Sequence, residues 1–216
     1  MSAASKDEFL RFYGLCVQLR SSAAHHNILF GLSEAQRSRL WGIAGIFFSD
    51  LHGLLRDQII QYVCKLTDPA ISGSKRNPHI NLTIKHFLAN CDFANDLARR
   101  DQLVALSVAI HLFADKIRPA RDKLISHSDH AAIMAELPIG AAPQVEWDEF
   151  WSNLSEFAYQ LGCHFGDTSF RLFEVGMISD ADNVLRDLRK AAAFDLMVQE
   201  SELSRRCLDA FDSVSF

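Results

Sequence analysis

Apolar residues recur at helical spacing along almost the whole chain, and no segment alternates apolar and polar residues as a half-buried strand would. The first predicted helix spans about Lys6 to Ala24, with Phe9, Phe12, Tyr13, Cys16 and Leu19 on one face. Ser33-Glu34-Ala35-Gln36 reads as a capping box and opens a long helix to about Leu66. Its apolar positions Leu40, Ala44, Phe47, Leu51, Leu55 and Ile59 fall three and four apart and form one stripe. Thr67-Asp68-Pro69 ends that helix, because Pro69 disfavours helical geometry at Asp68. The stretch Ala70 to Pro78 is polar, contains Gly and Ser, and reads as a mobile loop. A shorter helix follows from about Asn81 to Asn90, capped by Asn81 or Thr83.

The next helix starts near Asn95 and carries Leu103, Leu106, Ile110, Phe113 and Ile117 on one core stripe. It then meets Pro119, which removes a backbone hydrogen bond and clashes with the carbonyl four residues back, so a kink is expected there. Residues 131–147 hold two Pro and a Gly and read as an irregular crossing. A helix over about Asp148 to Gly162, extending toward Glu174, and a last one from about Asp180 to Arg206 complete the chain, with Gly176 as a C-terminal cap between them. The expectation is all-α: one domain over residues 1–216, an up-and-down bundle of about six helices. Its core lies over roughly residues 34–175, and the helix of residues 180–206 packs on it. The stripes of residues 40–59 and 103–117 should face one another, so that Phe47→Ala would open a costly cavity.

Composition narrows the class. The 216 residues are 49% hydrophobic and 23% charged, with a net charge of −5, which excludes a disordered chain. No run without Asp, Glu, Lys or Arg exceeds the 13 residues of Gln102 to Ala114, and spanning a bilayer takes about 20. The first residues lack the basic and apolar regions of a signal peptide. Five cysteines (16, 64, 91, 163 and 207) form no CxxC and read as reduced thiols. These features predict a cytoplasmic protein with no membrane contact. Residues 1–143 hold 16 Lys and Arg against 13 Asp and Glu, whereas residues 144–216 hold 6 against 14. The imbalance suits two faces that attract each other better than it suits a broad anion-binding front.

Few catalytic patterns survive inspection. There is no HExxH, no finger-like Cys/His spacing, no GxxxxGK[ST] or GxGxxG phosphate loop and no GxSxG elbow. No metal and no cofactor is therefore expected, although His127, Asp129 and His130 keep a metal-dependent hydrolase open as a third reading.

The segment Lys116 to His130 is the most unusual, with Lys116, Arg118, Arg121 and Lys123 in eight residues followed by two His. Continuing the core stripe from Ile117 by four lands on Arg121. A guanidinium there needs a carboxylate partner or a wet cleft. One reading is a structural ion pair that fixes helix register. The other is catalytic. Arg121 and His127 have five residues between them, which matches the Arg-x(4–6)-His pattern of HEPN ribonucleases. By itself the pattern is weak: 15 Arg and 9 His give about two chance hits, and three occur, the others pairing Arg20 with His25 and His26. Only Arg121 follows a kink among basic residues. Metal-free RNA cleavage needs a base, an acid and a cation on the phosphorane, roles that His and Arg can fill. On an unbroken helix residues six apart differ by about 120° and about 9 Å, so convergence requires the helix to fray near Ser126.

Two blocks carry a resemblance. Leu66-Thr67-Asp68-Pro69-Ala70 followed by Asn81-Leu82-Thr83-Ile84, and Arg121-Asp122-Lys123-Leu124-Ile125-Ser126-His127-Ser128-Asp129, resemble the abortive-infection-U-like group of the HEPN superfamily. The resemblance covers roughly Trp41 to Leu161. It implies a HEPN helical bundle, a homodimer and a metal-independent endoribonuclease site of Arg121 and His127. Asp122 supports that site, and Arg118, Lys123 and His130 lie at the rim of a cleft shared by two copies. It also implies an RNA substrate and a toxin–antitoxin or antiviral abortive-infection setting, with an antitoxin as a further partner. A non-catalytic dimerisation or nucleotide-binding HEPN module stays open beside it.

Overall fold

The computed structural model describes residues 3–31, 33–125, 141–170 and 180–199. Helix α1 spans Lys6–Phe30, running on past the predicted end. Its start is a capping box: the Glu8 amide donates to Ser5 Oγ at 3.2 Å, and the Ser5 amide donates to Glu8 Oε2 at 2.7 Å. Helix α2 spans Glu34–Thr67. Its helical path breaks at Ala44, which has φ −155° and ψ 66°.

That break corrects the expectation for Phe47. A residue out of the helical path rotates everything before it relative to everything after, so a single stripe cannot run across it. Leu40 and Phe48 are buried, while Phe47 is 61% exposed. The two stripes do not face one another as predicted. Leu40 and Phe48 join Leu29 and Phe30 of α1, with Ala44, Leu51 and Leu55 packed alongside in a second, smaller cluster. Of that stripe only Ile59 reaches the main core, beside Ile60, Val63 and Leu66.

Residues 71–80 are not a loop but an antiparallel hairpin, β1 (Ile71–Ser74) and β2 (Asn77–Ile80), pairing Ile71 with Ile80 and Ser74 with Asn77. All eight strand residues are exposed, so no apolar alternation marks them. The pairing rests on the backbone. Gly73 has φ +87°, and a Cβ there would lie 2.6 Å from the Asn77 carbonyl oxygen. Asn81 ties the base of the hairpin, donating from Nδ2 to the Pro69 carbonyl and from its amide to that of Ala70, both at 2.8 Å.

Helix α3 (Ile84–Asn90) is capped by Thr83, one of the two expected caps, and α4 (Leu97–Ala120) by Asp96. On α4, Leu103, Ile110, Phe113 and Ile117 are buried as predicted, with Leu106 packed against them. Helices α5 (Gln144–His164) and α6 (Asp180–Gln199) follow. The main core joins α1, the C-terminal half of α2, α3, α4 and α5 around Phe12, Phe87, Phe150 and Phe157. It begins before residue 34, since α1 supplies Phe9, Phe12, Cys16 and Leu19. Ala181 and Leu185 of α6 cover the second cluster.

Six helices among the described residues, with one small hairpin, make an all-α bundle. Lys6 to Asp167 at 3.7 Å and Lys116 to Glu146 at 2.8 Å link the basic front of the chain to its acidic last third. Among the described residues, Cys16, Cys64, Cys91 and Cys163 are free, and no helix is long and apolar enough to cross a membrane. The cap at Gly176, residues 131–140 of the expected crossing, the end of the last helix and Cys207 lie outside the described residues, while residues 144–147 of that crossing are helical and belong to α5.

Candidate active site at the end of helix α4

Pro119 sits inside the last turn of α4, and Arg121–Ile125 continue as a turn of π-helix. A proline cannot donate to the helical ladder and crowds the preceding turn, and the regular helix gives way to the wider π-turn just after it. π-turns recur at functional sites. The turn also ends the core stripe. Ala120, not Arg121, takes the next buried position, with 3% exposed, and Leu124 is 44% exposed. Arg121 therefore stands at the edge of the core rather than in it, its side chain 23% exposed.

Of the carboxylate partner and the wet cleft that the sequence left open, the structure supplies the carboxylate: Asp68, the first residue past α2. Arg121 Nη1 donates to Asp68 Oδ1 and Oδ2 at 2.9 and 3.0 Å, and its Nε donates to Asp122 Oδ1 at 2.7 Å. Burial works against the Arg121 cation, but these two aspartates outweigh it and raise its pKa. Arg118, expected at the rim, is part of the same cluster. Its Nη1 donates to Asp68 Oδ1, and its Nη2 donates to Thr67 Oγ1 at 3.0 Å and to the Thr67 carbonyl at 3.4 Å. Asp115 lies 3.7 Å away on its other side. Thr67 is buried and donates its own hydroxyl proton to the Val63 carbonyl at 2.8 Å. A guanidinium on the last carbonyls of α2 also faces the negative end of that helix.

Two guanidinia thus share three aspartates, and the ends of α2 and α4 are locked together. Behind them lies Cys64, whose thiol is pushed up by burial and pulled back by Arg121 and Arg118. Lys123 is exposed on the π-turn. The two blocks of the resemblance meet here through Arg121 and Asp68; within the first block, Asn81 holds Pro69 and Ala70, and Thr83 starts α3. Asp68 and Thr67 were legible as a helix stop and as part of the first block, with no role toward Arg121. Their role appears once the two helix ends are brought together.

His127, Asp129 and His130 lie outside the described residues. Among the described residues no group of three His, Cys, Asp or Glu is placed to hold a metal ion. Arg20, from the competing Arg/His pairs, lies over the Trp151 ring at 5.1 Å.

No curated protein and no solved structure matches the chain. The family model of HEPN domains described as AbiU2 matches residues 6–158, which takes in α1 to α4, the hairpin, the Arg118–Arg121–Asp68 cluster and most of α5. With that match over more than half of the chain and an all-α bundle, the chain belongs to the AbiU2 family of HEPN domains.

Proposed function

We propose that this chain is a metal-independent endoribonuclease of the HEPN type, working as a cytoplasmic homodimer in toxin–antitoxin or abortive-infection defence. The observation that supports this most is the setting of Arg121. It opens a π-turn after Pro119, it is oriented by Asp68 and Asp122, and five residues separate it from His127. A guanidinium fixed through two of its nitrogens is pre-aimed, and it offers a planar fork to phosphate oxygens. In this reading Arg121 stabilises the phosphorane. His127 takes the 2′-OH proton or protonates the leaving oxygen, and the second copy of the chain supplies the other role. Arg118, Lys123 and His130 flank the scissile phosphate, and an antitoxin would mask this face.

A second reading has its own observation. The Arg121–Asp68 pair already joins α2 to α4, as a purely structural pair would in a non-catalytic dimerisation or nucleotide-binding module. Incubation of the purified chain with single-stranded RNA in excess chelator separates them. The ribonuclease reading expects cleavage that persists without divalent metal and disappears in Arg121→Ala. An inert wild-type chain supports the non-catalytic module. Cleavage lost in chelator and restored by zinc or manganese supports the metal-dependent hydrolase of His127, Asp129 and His130.

A further inference from the structure

Beside the π-turn lies a cavity of about 560 Å³, walled by α1, α2, the end of α4 and α5. It falls in the size range of small-ligand sites, roughly 300–1,000 Å³. His26, His52, Arg56, Leu124, Trp147 and Trp151 set its chemistry. We propose that this cavity receives one nucleobase of a single-stranded RNA whose backbone passes Arg121. The placement of the strand rests on the ribonuclease reading; the ability of the cavity to hold a base does not.

The aromatic wall comes first. Trp147 and Trp151 line one side, with ring centroids 6.0 Å apart and planes 25° apart; Trp151 is buried with Arg20 over its ring, which leaves the half-buried Trp147 as the ring to meet a base. Flat aromatic walls hold single-stranded nucleic acids by stacking, and they do so for any base. Polar edges come from His26 and His52, which also line the cavity, with ring centroids 5.0 Å apart. Burial lowers the pKa of both; His52 and Arg56 lower His26 further, and Arg56 lowers His52. His26 also shares a hydrogen bond with the Asn27 side chain, which raises its pKa without outweighing burial; an uncharged imidazole carries one donor and one acceptor, the same repertoire as a base edge, and His52 offers both.

Charge then decides between a base and a phosphate. Arg56 is the cation of the lining, and its Nε and Nη2 both donate to Asp57 Oδ1, at 3.0 and 2.9 Å. With that pair offset and the imidazoles neutral, the cavity suits an uncharged heteroaromatic ring rather than an anion.

Position links the cavity to the strand. Leu124 is in the same π-turn as Arg121. Ile60 lines the cavity, and Cys64, which feels the Arg121 charge, follows one turn later on α2. At 1.5 Å per residue that is about 6 Å along the helix. A phosphate held at Arg121 brings a neighbouring base to the cavity mouth.

Tryptophan fluorescence of the full chain tests this with adenosine, guanosine, cytidine and uridine, inorganic phosphate as the anion control, and a 2′-O-methyl tetraribonucleotide that cannot be cleaved. The expected result is saturable quenching by at least one nucleoside, none by phosphate, and competition by the oligonucleotide. Affinity should fall about fivefold to tenfold in His52→Ala or His26→Ala, and Phe47→Ala, an exposed substitution away from the cavity, should bind nucleosides as the wild type does. Absence of quenching by all four nucleosides overturns the proposal, as does equal quenching by phosphate, or unchanged affinity in both folded His variants. Nucleoside binding without competition by the oligonucleotide overturns the strand assignment. Binding is read here without cleavage, so an inert chain that still binds nucleosides separates this proposal from the ribonuclease reading.

Discussion

Asp68 carries two cations on one carboxylate, receiving Arg118 and Arg121 across the α2–α4 contact. Its removal leaves both guanidinia short of a partner at a site where all three side chains are less than one-third exposed. Hydrogen bonds to charged groups contribute roughly 1.5–3 kcal/mol each, and unpaired buried groups cost a similar amount. Asp68→Ala should therefore lower stability by about 1–3 kcal/mol in urea denaturation, with Asp68→Asn losing less. A change under about 0.5 kcal/mol would show that water already serves both arginines. At this scale the need for a carboxylate or for water was legible in the sequence, because a guanidinium next to a core stripe must be paired or solvated. Which carboxylate was not. Asp68 lies more than fifty positions away, and only the packing of two helix ends selects it from the other acids.

Element by element, the helices follow from periodicity, but two backbone features escape it. The break at Ala44 has no Pro or Gly at its own position, so the apolar spacing of residues 40–59 reads as unbroken while the fold divides it between two clusters. The hairpin of residues 71–80 is exposed on both faces, so it leaves no hydrophobic signature. Pro119 marked the end of the regular helix, and a π-turn follows it. The Ala44 break makes a sharp contrast between neighbours. Phe48→Ala should cost about 3–5 kcal/mol through a cavity in the second cluster, whereas Phe47→Ala should stay within about 0.5 kcal/mol, as exposed substitutions do. Chemical denaturation of both variants checks this, and a reversed order would return Phe47 to the core and remove the break.

Across the whole molecule, burial depresses the pKa of four histidines, His26, His52, His111 and His164, below the ordinary value of 6.5. Below 6.5 the unfolded chain takes up protons that the folded chain refuses. Stability is thus complete above that pH and declines as pH falls through the lower folded values. Melting temperatures from pH 7.5 down to pH 5 should fall steadily, and a flat profile would mean these rings are hydrated. The bundle and its family membership were readable from the helical pattern and the two quoted blocks. The chemistry was readable only as a pair of residue types at a spacing that chance also produces, and His127 lies outside the described residues. The His127→Ala variant therefore tests the central claim most directly, with RNA cleavage and growth toxicity read beside the melting temperature and the dimer. Cleavage and toxicity should vanish while melting and assembly stay as in the wild type. Undiminished cleavage, in a chain that Arg121→Ala unfolds, would show the cluster at the end of α4 to be structural and the ribonuclease reading to be wrong.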